Sequence, residues 1–176
     1  MLGPNIFIWN VRGLNMRARR AVVREFLLQE RVSVLCLVET KIDVLSSAMA
    51  NELMGMSFDY VCLPAVGASG GIVVAWCRND WSAHRHVAQQ FSMTVCLVPA
   101  GSSSEPWSLA TVYGPVEENL KLEFLNELRE IRADCDGPLL IGSDFNLIYQ
   151  ARDKSNDRLN LRPMRRFHRA LDDICK

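Results

Sequence analysis

The chain lacks an excess of charge of either sign: 20 basic side chains are matched by 20 acidic ones over 176 residues. No global field marks it as a nucleic-acid or membrane binder, so any such function must rest on local charge. Its six cysteines, Cys36, Cys62, Cys77, Cys96, Cys135 and Cys175, show no Cys-x-x-Cys spacing. That argues against a zinc or disulfide framework and for reduced thiols in a reducing compartment, with Cys36, Cys77 and Cys96 packed as small hydrophobes. The start has no basic segment leading into an apolar one, and no apolar run approaches the roughly 20 residues of a membrane span. The expectation is a soluble, intracellular protein without a membrane partner. Internal repeats and linker-like stretches are also missing, and low complexity is confined to Ser102–Ser104. With 49% apolar residues, the chain reads as one domain, 1–176.

What is present is an alternation of strand and helix signals. Ile6–Trp9 is an apolar run. Arg17–Arg31 follows as a helix, with Ala18, Val22 and Phe26 at four-residue spacing, and Val32–Val38 as a buried strand. This β-α-β unit predicts two parallel strands. A shorter helix fits Leu45–Met54, stopping at Gly55, before an extended piece at Phe58–Leu63. Four extended runs then follow at short intervals, Gly71–Cys77, His84–Gln90, Met93–Pro99 and Trp107–Tyr113. Turn formers lie at Arg78-Asn79-Asp80 and after Gly101, so successive runs are expected to pair antiparallel. Glu117–Ala133 puts Leu120, Phe124, Leu128 and Ile131 on one helix face, Gly137-Pro138 breaks it, and Leu139–Ser143 resumes as a buried strand. A last helix starts near Pro163 and buries Phe167, Leu171 and Ile174. Helices interleaved with strands at both ends and a meander between them predict an α/β domain of mixed sheets covered by helices.

Four of the apolar runs end on polar residues suited to a metal or a phosphate: Asn10, Glu39, Tyr113, and Asp144 with Asn146 behind it. If several of those strands point the same way, their ends gather at one edge, where ligand crevices of layered α/β folds lie. A carboxylate just past a buried strand is costly to desolvate without a positive partner, and a hard divalent cation supplies one. Each residue alone reads equally well as a turn former or the first solvated position after a strand. Together they carry a signal.

In that order, Asn5 to Asn15, Val38-Glu39-Thr40-Lys41, Gly70-Gly71-Ile72, Val112-Tyr113-Gly114-Pro115 and Gly142-Ser143-Asp144-Phe145-Asn146 resemble the endonuclease/exonuclease/phosphatase superfamily. Trp9 to Asn15 and Asp153-Lys154-Ser155-Asn156 look most like the endonuclease of plant LINE-type (non-LTR) retrotransposons. The resemblance implies a DNase I-like β-sandwich of two sheets with helices outside. It implies Mg2+, or Mn2+, held by Glu39 with Asn10 supporting the metal site. Tyr113 would contact the scissile phosphate, Asp144 orient or deprotonate the attacking water, and Asn146 hydrogen-bond the phosphate. Position 143 is Ser where the family usually has another Gly, a change of little cost unless the backbone needs a positive φ.

The family completes its site with a later Asp and a Ser-Asp-His motif, and this chain ends at Lys176 without them. The expectation is an incomplete domain lacking its C-terminal strands, inactive or weak, with an open sheet edge that promotes self-association. His84, His86 and His168 are expected to have surface or packing roles. Two basic clusters, Arg12, Arg17, Arg19, Arg20 and Arg24, and Arg152, Lys154, Arg158, Arg162, Arg165, Arg166 and Arg169, lean towards DNA as partner. Nuclear residence follows if the chain belongs to a working retrotransposon. Two alternatives stay open. One is a non-catalytic remnant or nucleic-acid-binding module; the other is a phosphodiesterase for abasic-site DNA, an inositol phosphate or a phospholipid headgroup. The loop Gly67–Gly71 lacks the helix and Gly-Lys-Ser/Thr ending of a phosphate loop and reads as a turn.

Overall fold

The computed structural model describes residues 4–67, 69–149 and 161–175. Arg152, Lys154 and Arg158, and the motif Asp153–Asn156, lie outside the described residues. The chain runs β1 (Ile6–Asn10), α1 (Arg17–Glu30), β2 (Val34–Val38), α2 (Ser47–Met54), β3 (Phe58–Val66), β4 (Ser69–Cys77) and β5 (Trp81–Ala88). It continues through β6 (Ser92–Pro99), β7 (Trp107–Tyr113), α3 (Lys121–Ala133), β8 (Leu139–Asp144) and α4 (Leu161–Ile174).

The strands form two four-stranded sheets, ordered β1-β2-β4-β3 and β5-β6-β7-β8. Each is mixed: β1 and β2 run parallel, as do β7 and β8, and the remaining neighbours are antiparallel. Three apolar layers follow from this stacking. The outer face of the first sheet packs Leu35, Leu37 and Val73 against Val23 and Leu27 of α1 and Leu53 of α2. Between the sheets, Val34, Cys36, Val74, Met93, Val95, Leu97 and Leu109 form the central layer. Beyond the second sheet, Ala110 and Val112 meet Phe124, Leu128 and Ile131 of α3 and Phe167 of α4. This is the two-sheet, helix-flanked, DNase I-like α/β sandwich that the sequence predicts. The strand β2 is buried at every position because it has apolar layers on both faces, which explains its unbroken apolar sequence.

Three details differ from expectation. The runs β4 and β5 are not paired. Both edges of β4 are already taken, by β2 and β3, so after the turn closed by Asp80 N–H to the Cys77 carbonyl the chain must found the second sheet. The buried face of α1 is Arg20, Val23 and Leu27, whereas Ala18 and Val22 face solvent. Arg20 turns inward because its guanidinium finds Glu52 Oε2 at 3.0 Å and the carbonyls of Leu14 and Asn15 at 2.8 Å. Residues 117–120 form a separate turn ahead of α3, held by Leu120 N–H to the Glu117 carbonyl at 3.2 Å.

The strands β1 and β8 each lie at the end of their sheet, and they approach one another across the sandwich. Both are only partly buried along their length, and Leu140 of β8 is 42% exposed.

Candidate phosphodiesterase site

The two parallel pairs, β1 with β2 and β7 with β8, bring four strand ends to one place. Asn10 lies opposite Val38, just ahead of Glu39, in the first sheet, and Tyr113 lies opposite Asp144 in the second. Asn10 Nδ2 donates across the gap to Asp144 Oδ2 at 3.0 Å, joining the sheets. The backbone N–H of Asn146 donates to Asp144 Oδ1 at 3.1 Å, so both carboxylate oxygens are held. Asn146 Nδ2 in turn donates to the Gly114 carbonyl at 2.7 Å, and Asn10 Oδ1 accepts from Arg12 N–H at 3.2 Å. The Tyr113 hydroxyl lies close enough to Glu39, Asp144 and Asn146 to feel their charges and polar groups. All five residues singled out in the sequence therefore belong to one cluster. A cavity of about 380 Å³ opens against it, lined by Ile8, Asn10, Ser143 and Asp144. A larger one, about 440 Å³, lies on the outer face of the second sheet by Arg85, Thr94 and Asp134 and touches none of these five.

The electrostatics are those of an anionic site. Burial, and then the charges of Glu39 and Asp144, push the Tyr113 phenol above its ordinary value, with the hydrogen bond to Asn146 opposing them. The phenol therefore keeps its proton at neutral pH and remains a donor. Lys41 Nζ stands 3.3 Å from Glu39 Oε1. Asp144 has no cationic partner among the described residues.

Strain marks the same place. Of six non-glycine residues with positive φ among the described residues, Arg12, Glu39, Lys41, Ser143 and Asn146 flank these strand ends. Such conformations cost about 1–3 kcal/mol each and persist only where surroundings enforce them. Here the enforcement is visible. The Glu39–Lys41 loop is stitched on one side by Gly13 N–H to the Glu39 carbonyl (2.7 Å) and Leu14 N–H to the Thr40 carbonyl (2.8 Å). On the other side, Thr40 N–H reaches the Gly71 carbonyl (3.2 Å) and Lys41 N–H the Gly70 carbonyl (3.0 Å). A Cβ on Gly71 would collide with the buried Thr40 hydroxyl, and one on Gly114 with the Phe145 carbonyl. These glycines and Thr40 support the site without chemistry of their own. Reading by residue type alone gives them no role; the signals are the paired Gly70-Gly71 at a strand start and the presence of Thr40 and Gly114 in the segments that carry the resemblance.

The small expected cost of Ser143 needs correcting. Its φ is +131°, so the backbone does require the conformation that glycine tolerates. Its hydroxyl is also buried without a hydrogen-bond partner.

The basic clusters separate. Arg17 and Arg20 both reach Glu52, at 3.5 and 3.0 Å, and Arg19 is hydrogen-bonded to the carbonyls of Arg12 and Gly13. The Arg24 guanidinium lies against Gly55. Most of the first cluster is thus engaged within the fold. Histidines do not enter the site among the described residues. His84 and His86 are exposed on β5, the far edge of the second sheet, and His84 falls where the pairing slips by one residue. His168 stacks on Tyr149 at 4.1 Å with its Nε2 on the Tyr149 carbonyl.

Among the described residues, no three of His, Cys, Asp and Glu converge as a metal cage. The donors present are the carboxylates of Glu39 and Asp144 and the amide oxygen of Asn10, and both carboxylates bear on the same phenol. A hard cation that takes one or two carboxylates, with water and phosphate completing its shell, fits that set. A cage-type transition metal does not.

No curated protein matches the sequence. In fold, the chain is similar to an AP endonuclease from Archaeoglobus fulgidus (TM-score 0.69, 19% identity, covering 97% of this chain and 69% of that one). It is similar to an AP endonuclease from Leishmania major (TM-score 0.67, 17% identity, 96% and 66%). The endonuclease domain of TRAS1, a telomere-specific non-LTR retrotransposon, matches with TM-score 0.70 at 10% identity, over 96% and 71%. The chain spans between 49% and 71% of the length of such structures. No helix among the described residues is long and apolar enough to cross a membrane. A model of the Endonuclease/Exonuclease/phosphatase family, whose members generally depend on a divalent metal, matches residues 8–169. Since that span holds all five clustered residues, the chain belongs to the endonuclease/exonuclease/phosphatase family.

Proposed function

We propose that this chain is a magnesium-dependent DNA phosphodiesterase domain of the retrotransposon endonuclease type, with low turnover on its own. The observation that carries the reading is the bridge between sheets, Asn10 to Asp144, beside Tyr113, whose phenol feels the charges of Glu39 and Asp144. Asp144, held at both oxygens and without a cationic side chain among the described residues, is the group to orient a water and take its proton. The protonated Tyr113 and the Asn146 amide are the donors for phosphate oxygens as charge builds on them. Glu39 and Asn10 would hold Mg2+, or Mn2+, which when bound supplies Lewis-acid stabilisation of that charge. The motif order and Trp9–Asn15 support the retrotransposon type.

Low turnover follows from what does not reach the site. Among the described residues no histidine or second cation stands opposite Asp144. The same observation favours a second reading, a nucleic-acid-binding module that keeps the fold without turnover. Nicking of supercoiled plasmid with Mg2+ tests both. Slow nicking that Asp144→Asn and Glu39→Gln each abolish is the expected result. Rapid nicking lost in Asp144→Asn would overturn the low rate, and no nicking at all would favour the module.

A further inference from the structure

The helix α4 carries its charges against its own dipole. Arg162, Arg165, Arg166 and Arg169 occupy its N-terminal part, and Asp172 and Asp173 its C-terminal end; its first turn has no acid and its last no base. A helix N-terminus favours anions and a C-terminus cations, so both ends are reversed. The four arginines recur at i, i+3, i+4 and i+7, which places them in one exposed stripe of neighbouring like charges. Among the described residues none of the four has an ion pair; the pair α4 makes there is Asp173 with Arg129 at 3.0 Å. The contrast with α1 is direct, since Arg17, Arg19 and Arg20 are engaged internally.

This arrangement weakens the isolated helix, and an external polyanion would reverse the sign of each penalty. The stripe is about 10 Å long at the rise of an α-helix. One strand of duplex DNA presents a phosphate per roughly 3.4 Å of axis, so three or four phosphates match it. The opposite face of α4 is already committed. Phe167 and Ala170 are buried, and Phe167 lies 5.3 Å from the ring of Phe145, the residue after Asp144. The stripe therefore sits on an element anchored to the loop that carries Asp144 and Asn146. A lipid surface fits less well, because Leu161 is the one exposed large apolar residue of α4.

We infer that the α4 arginine stripe binds the phosphate backbone of duplex DNA and positions it for the Asp144 site. This rests on the DNA-directed reading above, and it is tested by binding without hydrolysis. The probe is a labelled duplex of about 20 base pairs titrated by anisotropy in EDTA between about 50 and 200 mM salt.

Replacing all four arginines by Gln is expected to weaken binding about tenfold or more at the lowest salt and to reduce the slope of log affinity against log salt by about 3 to 4. Lys at the same four positions should retain the slope. Arg17→Gln with Arg24→Gln should leave it unchanged. The Gln variant should melt no lower than the parent without DNA, since like-charge repulsion is removed; if it does not fold, the single Gln variants should each reduce the slope by about 1.

An unchanged slope in the α4 variants overturns the inference. So does an equal loss in the α1 control, or binding to vesicles with phosphatidylserine in place of DNA. Absence of nicking with the slope effect intact would sink the catalytic reading and leave this surface standing.

Discussion

Ser143 stands in the strand that delivers Asp144, with φ +131° and a buried hydroxyl that finds no partner. Two penalties coincide there, about 1–3 kcal/mol for the backbone and about 1–3 kcal/mol for the unpaired hydroxyl. Glycine removes both and loses roughly 0.5–1 kcal/mol through the freer unfolded chain. Ser143→Gly is therefore expected to stabilise the fold by at least about 1 kcal/mol in a denaturant titration; a loss of stability would show that Ser143 is not strained. At the same scale, Glu39→Gln should lower Mg2+ affinity about tenfold or more by calorimetry. Equal affinity in the variant would remove Glu39 from the metal site. The candidate residues themselves were legible one by one as polar groups after apolar runs. The strain beneath them was not, because φ at a given residue depends on what surrounds it.

Among the elements, α3 holds a carboxylate that does structural work. Glu127, 7% exposed, accepts from Phe91 N–H and from the Ser92 hydroxyl, at 3.1 and 2.6 Å, and so ties the β5–β6 turn to the helix. Burial pushes its pKa up, against the lowering effect of those hydrogen bonds. A raised folded value means that the native state holds the proton more tightly. The stability this contributes is complete below the ordinary carboxylate value of about 4.3 and is lost as pH rises through the raised one. Glu127→Gln is expected to melt above the parent at neutral pH, with the gap closing as pH falls towards 4. A gap that widens on acidification would reverse the sign of the shift. Helix existence and strand existence could be read from periodicity, but not which face of α1 turns inward. The pattern suggested Ala18, Val22 and Phe26; Phe26 does pack on the core, but Ala18 and Val22 face solvent and Arg20 is buried because Glu52, from α2, meets it there.

For the whole molecule, the open ends of both sheets matter most. Among the described residues, β1 and β8 are edge strands on the same side of the sandwich, and Leu140 leaves 42% of its surface in water. Such edges offer unpaired backbone and apolar surface to another copy. The chain alone is expected to self-associate with rising concentration, and Leu140→Lys to shift it towards monomer, both measured by light scattering after gel filtration. A concentration-independent monomer would count against this.

Local order in the sequence determined the alternation of helix and strand, the apolar layers and the residue types that end each run, because periodicity and capping act over a few positions. It also carried the five polar residues that end those runs, all within the span that the family model matches. Only the tertiary structure decided that β5 leaves the first sheet, since that depends on both edges of β4 being occupied. It alone joined Asn10 to Asp144 across 134 residues, and it separated arginines engaged in the fold from those left facing outward. Those outcomes rest on which partner reaches a group first in three dimensions, and no stretch of sequence contains that information by itself.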